Sequence, residues 1–226
     1  MSLSDELRRI FEADRVMRAA ESVLLRKRGS DELIALLESE TEQALQLDGR
    51  EEATMRLERL ADLCAQVPGP RMTDALIAIL NDTEPRVRVA AGEALRDLGF
   101  ERYAEVARGI ERALDADAQQ PRGDEIALRG GPAMSELPWV LAEIAEPSAL
   151  SLIRRFLEHS DPDVAAAAIE ALAQLQDPEA VNDLERFTGD SREVILEDFE
   201  DEEKTTIGDL ARDALAMLGY GPSGSS

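Results

Sequence analysis

The chain has one histidine and one cysteine in 226 residues, and the setting of each bounds its chemistry. His159 stands beside Ser160 and Asp161 in a turn between two helical stretches, where an exposed, unreactive turn residue is expected. Cys64 shares an apolar helix face with Leu57, Leu60 and Ala61, which predicts a buried and inert thiol. One histidine and one distant cysteine do not make a His/Cys zinc site. The segment 189–204, GDSREVILEDFEDEEK, is dense in acid but lacks the ligand spacing of a calcium loop. GDEIALRGG at 123–131 follows no strand and reads as a mobile loop rather than a phosphate cradle. No catalytic, cofactor-binding or metal residue is expected, which leaves binding as the chemistry to look for.

Binding residues must be positioned by elements, and the composition says which. Strong helix formers fill the chain and β-branched runs are missing, so helices are expected and strands are not. A first helix is expected behind Ser4, with Leu3, Leu7, Ile10, Phe11, Met17, Ala20 and Leu24 at helical spacing. A second follows Ser30, and a third spans about 50–66. Pro68, Gly69 and Pro70 break the chain before a helix at 70–80, a turn at 81–85 and a helix at 86–99 that Gly99 should close.

That last unit returns. A shift of 77 residues lays PRMTDALIAIL at 70–80 on PSALSLIRRFL at 147–157 without a gap, and Pro85, Val87, Ala91, Glu93 and Leu95 on Pro162, Val164, Ala168, Glu170 and Leu172. Weaker copies lie at shifts of 50 and 120. Second helices therefore recur about every 40 residues, close to the period of about 40–47 that stacked helical hairpins show. Insertions near 117–134 and 189–204 account for the unevenness.

The run PRVRVAAGEAL at 85–95 resembles a HEAT repeat, of the bacterial HEAT-like kind related to phycocyanobilin-lyase-type proteins. Asp82 and Arg88 stand where many HEAT repeats carry an Asp and an Arg that link neighbours; the copy at 147–175 has His159 and Ala165 instead. The resemblance implies an all-α fold, an α-α superhelix (HEAT-like α-solenoid) of four to five helical hairpins with an N-terminal capping helix. It also implies a scaffold or adaptor, or alternatively a lyase-type accessory or catalytic subunit acting on a protein-bound chromophore. The expected organisation is 1–67 as N-terminal helical cap and first hairpin, 68–219 as the repeats, and 220–226 as a disordered tail. The seven basic groups of residues 1–28 would instead meet an acidic partner or a membrane surface if the first helix is not a cap.

With Val87, Ala91, Ala94, Leu95 and Leu98 buried, positions 89 and 93 fall on the opposite side of the helix. Their equivalents make two rows: Val89, Trp139, Ala166 and Asp209, and Glu93, Glu143, Glu170 and Asp213. The second row is acidic throughout. It reads either as a solvated face or as a groove for a basic, partly apolar helix or peptide, with Trp139 as anchor and the carboxylates steering it. Residues 189–204 read either as a loop tucked onto the solenoid or as an acidic-hydrophobic recognition segment. A net charge of −23 disfavours a nucleic-acid partner, because phosphate binding needs a basic footprint. No apolar run is long enough to span a membrane, no signal-peptide pattern opens the chain, and a lone cysteine suits a reducing compartment, so a cytoplasmic, non-enzymatic binding protein is expected.

Overall fold

Helices begin in this chain wherever a cap or a proline lets one start. The computed structural model describes residues 2–119, 131–197 and 202–220. Among these, the helices are α1 (Leu3–Leu25), α2 (Asp31–Leu45), α3 (Arg50–Ala65), α4 (Pro70–Leu80), α5 (Pro85–Ala118), α6 (Gly131–Ile144), α7 (Ala149–Leu157), α8 (Pro162–Leu175), α9 (Val181–Phe187) and α10 (Ile207–Met217). Prolines open α4, α5 and α8, where the missing N–H is not needed. α1 starts earlier than Ser4. Ser2 accepts the Asp5 N–H at 3.2 Å while the Asp5 carboxylate accepts the Ser2 N–H at 3.1 Å, a reciprocal box that Ser4, followed three residues on by Leu7, cannot make.

Gly99 does not end its helix. α5 runs on to Ala118 with one break at Arg102 (φ −140°, ψ 48°). A side chain at position 99 would collide with Ile144, so this glycine lets α5 and α6 approach instead of closing a turn. The break is pinned from the preceding hairpin: Arg102 donates to the Ala65 carbonyl at 3.0 Å, and Glu105 accepts the Gly69 N–H at 2.9 Å. It divides α5 into 85–101, the second helix of one hairpin, and 103–118, the first helix of the next.

Five hairpins result: α2 with α3, α4 with the first half of α5, the second half of α5 with α6, α7 with α8, and α9 with α10. Their second helices stack in chain order, α3 on α5, α5 on α6, α6 on α8 and α8 on α10. One apolar core runs through the stack from Leu33 to Leu215, with Leu57, Met72, Leu95, Leu141 and Phe156 fully buried along it. The chain is an all-α solenoid. α1 precedes the stack but buries no residue. It is seated only at its end, where Leu24 and Leu25 touch the edge of the core and Glu21 pairs with Arg59 at 3.3 Å, so as a cap it covers little.

Arginines staple each hairpin to the next. Arg112 reaches Asp74 at 2.6 Å, Arg155 reaches Asp115 at 2.6 Å and Arg154 reaches Asp183 at 2.5 Å; Arg71 pairs with Glu38 in the same manner. Asp82, largely buried in its turn, accepts from Arg50 of the hairpin before it at 2.5 Å and from the Glu84 N–H at 2.8 Å. Arg88 holds the same turn through the Thr83 carbonyl at 3.0 Å and reaches Glu136 of the hairpin after it at 3.4 Å. In the third copy the slot of Asp82 holds His159. Contrary to the exposed turn residue expected, its side chain is only 8% exposed and bonds Asp117 at 2.8 Å. The Asp161 N–H donates to His159 Nδ1 at 3.1 Å, which assigns the ring as the neutral Nε2–H tautomer donating to Asp117.

The expectation of no strands fails at the second insertion. β1 (Glu193–Glu197) and β2 (Glu202–Thr206) pair antiparallel, Glu193 opposite Thr206 and Glu197 opposite Glu202. The β-branched pairs Val194–Ile195 and Thr205–Thr206 fit a pleated ribbon, and alternation turns Val194 inward, where it is buried, and Ile195 outward. The hairpin decorates the stack without interrupting it. Phe199 lies outside the described residues, as does 123–130 of the expected mobile loop, whose last residue, Gly131, begins α6.

If Asp82 locks its turn by both bonds, Asp82→Ala should cost about 1–3 kcal/mol in urea unfolding, the scale of losing a buried charged acceptor. Asp82→Asn, which keeps the bond to the Glu84 N–H and loses the charge, should cost less.

Candidate functional site

The face opposite the buried stripe of the second helices carries the residues that could meet a partner. On α5 it presents Val89 and Glu93, both exposed; on α6 it presents Trp139, half-buried, and Glu143, exposed. These four share one cleft of about 280 Å³ between α5 and α6, floored in part by Gly92. Sequence reasoning missed its fifth member. Arg96, one turn beyond Glu93 on α5, pairs with Glu143 across the cleft and lies 4.0 Å from Glu93. With Arg88 on Glu136 at the other end, the wall is a clasp of arginines and carboxylates around an indole rather than bare acid. The three-residue step from Glu93 to Arg96 is the signal that could have revealed it.

The other four predicted residues do not line that cleft. Ala166 on α8 is 5% exposed and belongs to the packing of α8 rather than to a surface. Glu170, one turn on, is half-buried and makes no ion pair among the described residues; burial raises its carboxyl above the usual range. Asp209 on α10 is exposed but occupied. It bonds the Thr206 hydroxyl and Arg212, each at 2.5 Å, and those bonds hold its carboxyl below the usual range. Asp213 is exposed. These four are carried by α8 and α10, which follow α6 in the stack, and they differ in how free they are.

On the other flank of α5 lies a larger groove of about 850 Å³ against α3 and the end of α1. Glu93 lines it as well, so the two openings meet on one residue. Ala90, Ala94 and Leu98 give it an apolar floor, and its walls carry Glu21, Asp62, Asp97 and Glu101 beside Arg28, Arg59 and Arg102. Glu93, Asp97 and Glu101 are four residues apart on α5 and so share one side of it. This acid went unread because the repeat alignment draws attention to positions that recur, and Asp97 and Glu101 do not recur. Burial and the neighbouring Glu21 and Glu58 raise the Asp62 carboxyl, against the pull of Arg59. A carboxylate in that position is stabilised by an added cation.

The one thiol of the chain lies outside both openings. Cys64 is fully buried and its thiol is pushed up to about 12 by burial. Among the described residues no group of three or more His, Cys, Asp or Glu side chains converges on a metal-sized site, and no helix is long and apolar enough to cross a membrane.

Part of the chain is similar to a known family. Residues 136–199 match the family model described as HEAT repeats. No curated protein matches the sequence. Among solved structures, a designed armadillo repeat protein in complex with the peptide (KR)4 is similar at 16% identity over 91% of this chain and 94% of that one, with a TM-score of 0.36. An engineered protein from a structural genomics consortium is similar at 18% identity over 92% and 93%, with a TM-score of 0.38.

A raised Glu170 carboxyl means that the folded chain holds this proton more tightly than the unfolded chain. Stability then falls as pH rises through the ordinary carboxyl range towards the raised value, and at neutral pH the charged group costs stability. Glu170→Gln should therefore raise Tm at neutral pH, with the difference shrinking to nothing in acid, as calorimetry across pH would record.

Proposed function

We propose that this HEAT-repeat protein is a non-catalytic interaction scaffold that takes a basic, partly apolar helix or peptide along the second-helix face. The observation that carries the reading is the pair of openings meeting at Glu93, with apolar residues in their floor, more carboxylates than arginines around them, and Trp139 at one end. A helix crossing them would set apolar side chains on Ala90, Ala94 and Val89 and its basic ones between Asp62, Asp97, Glu101 and Glu143. Trp139 supplies a large, partly desolvated surface of the kind that dominates binding energy at interfaces. Glu170, Asp209 and Asp213, with Ala166 beneath them, extend the track towards the C-terminal end.

The arginine clasp gives the reading its mechanism. Arg96 occupies Glu143 in the free chain. A partner arginine that displaces it exchanges one ion pair for another, so the net gain is small at that point, and selectivity for a basic partner comes from the carboxylates that Arg96 does not satisfy. Such an interface forms fast and weakens with salt. The single histidine holds a turn and the single cysteine is buried, so neither offers the cleft a base or a nucleophile.

Pull-down from cell extract tests it. Glu143→Lys with Glu170→Lys should abolish recovery of the partner, and so should Asp97→Lys with Glu101→Lys, which changes only exposed positions. Trp139→Ala should weaken binding of the recovered partner by about tenfold or more, the scale of a hot-spot truncation. Unchanged recovery by both charge-reversed variants contradicts the groove.

A further inference from the structure

The first helix repeats its seam residues at alternating steps of four and three: Leu3, Leu7, Ile10, Asp14, Met17, Glu21, Leu24. That is the spacing of a helix made to pair with another helix along its length. Within the fold only the end of the seam is satisfied, by Leu24 at the core edge and by the Glu21–Arg59 pair. Its first turns are bare: Leu3 is 91% exposed, and Leu7, Ile10 and Phe11 are each more than half exposed.

We propose that this stripe pairs with the same stripe of a second copy, α1 antiparallel to α1, to give a symmetric dimer. Charge selects the occupant. The chain carries −23, yet residues 1–28 hold seven basic and five acidic groups, so this is the end at which two copies can meet without strong repulsion. Much of the charge on α1 is already paired along its own surface, Arg8 with Asp5 at 3.7 Å, Arg9 with Glu6 at 3.5 Å and Arg18 with Asp14 at 2.9 Å. Antiparallel pairing centred on Ile10 and Phe11 sends the two acidic solenoids away in opposite directions, whereas parallel pairing would set them side by side. Covering the bare parts of Leu3, Leu7, Ile10 and Phe11 in both copies removes on the order of 1,000 Å² from water, near the lower edge for a specific interface. A contact of that size gives a dimer that dissociates on dilution.

The dimer does not depend on the groove, since Leu3, Leu7, Ile10 and Phe11 line neither opening. Sedimentation equilibrium of the full chain should show a concentration-dependent monomer–dimer equilibrium. Ile10→Glu with Phe11→Glu should shift it to monomer, and at dilutions where both chains are monomeric its Tm should match the wild type, because α1 buries no residue within the fold. A wild-type chain that stays monomeric at every concentration, or a dimer that survives the double substitution, overturns the proposal. So does a monomeric wild-type chain that co-sediments with phosphatidylserine vesicles and loses that property in the variant, which would give the stripe to a lipid surface.

Discussion

Each hairpin of this chain is apolar on two sides, and neither side can be covered without a neighbour. α8 shows the constraint most plainly: Val164 through Ile169 are all buried, a run that no isolated two-helix unit could hide. α8 is covered by α6 on one side and α10 on the other, and α6 in turn by α5. Stacking is therefore not an arrangement of finished units but the condition under which any of them folds. The glycines sit where this demand is strictest. Gly99 lies against Ile144 and Gly109 against Thr73, and at either place a side chain would hold two helices apart.

Apolar packing alone permits sliding, and the charged side chains remove that freedom. Arginines that reach a carboxylate of the next hairpin recur through the stack, from Arg71 on Glu38 to Arg154 on Asp183. Most are at least partly exposed, and each such pair is worth little in stability. Their effect is to fix register and to consume positive charge internally. The excess of 48 acidic over 25 basic groups is then left to the surface, which gives the groove beside α5 more carboxylates than arginines. Packing and electrostatics thus lead to the same face from different causes.

Much of this was legible in the sequence, because stacking writes itself as repetition. The shift of 77 residues located α4, α7, α8 and the start of α5, and the stripe of Val87, Ala91, Ala94, Leu95 and Leu98 faces inward as the spacing implied. What escaped depended on neighbours far along the chain. Gly99 looks like a helix end until Ile144 is beside it. His159 looks exposed until Asp117 covers it. Arg96 looks like a surface charge until Glu143 faces it. The β-hairpin was lost because two short β-branched pairs in an acidic stretch are a weak local signal, and cross-strand partners supply the rest. The four residues of the α5–α6 cleft were grouped from helical spacing and the repeat register, whereas the groove that the carboxylates on the other flank of α5 line needed α3 to define it.

Trp139 is the only tryptophan, so its emission reports on the cleft directly. Titration of the purified chain with an arginine-rich amphipathic helical peptide, beside a peptide of the same pattern with glutamates in place of the arginines, measures whether that face binds as its structure implies. A saturable change in Trp139 emission with the basic peptide, lost at high salt and absent with the acidic one, is the predicted result. Emission that stays constant, or that responds equally to both peptides, contradicts it.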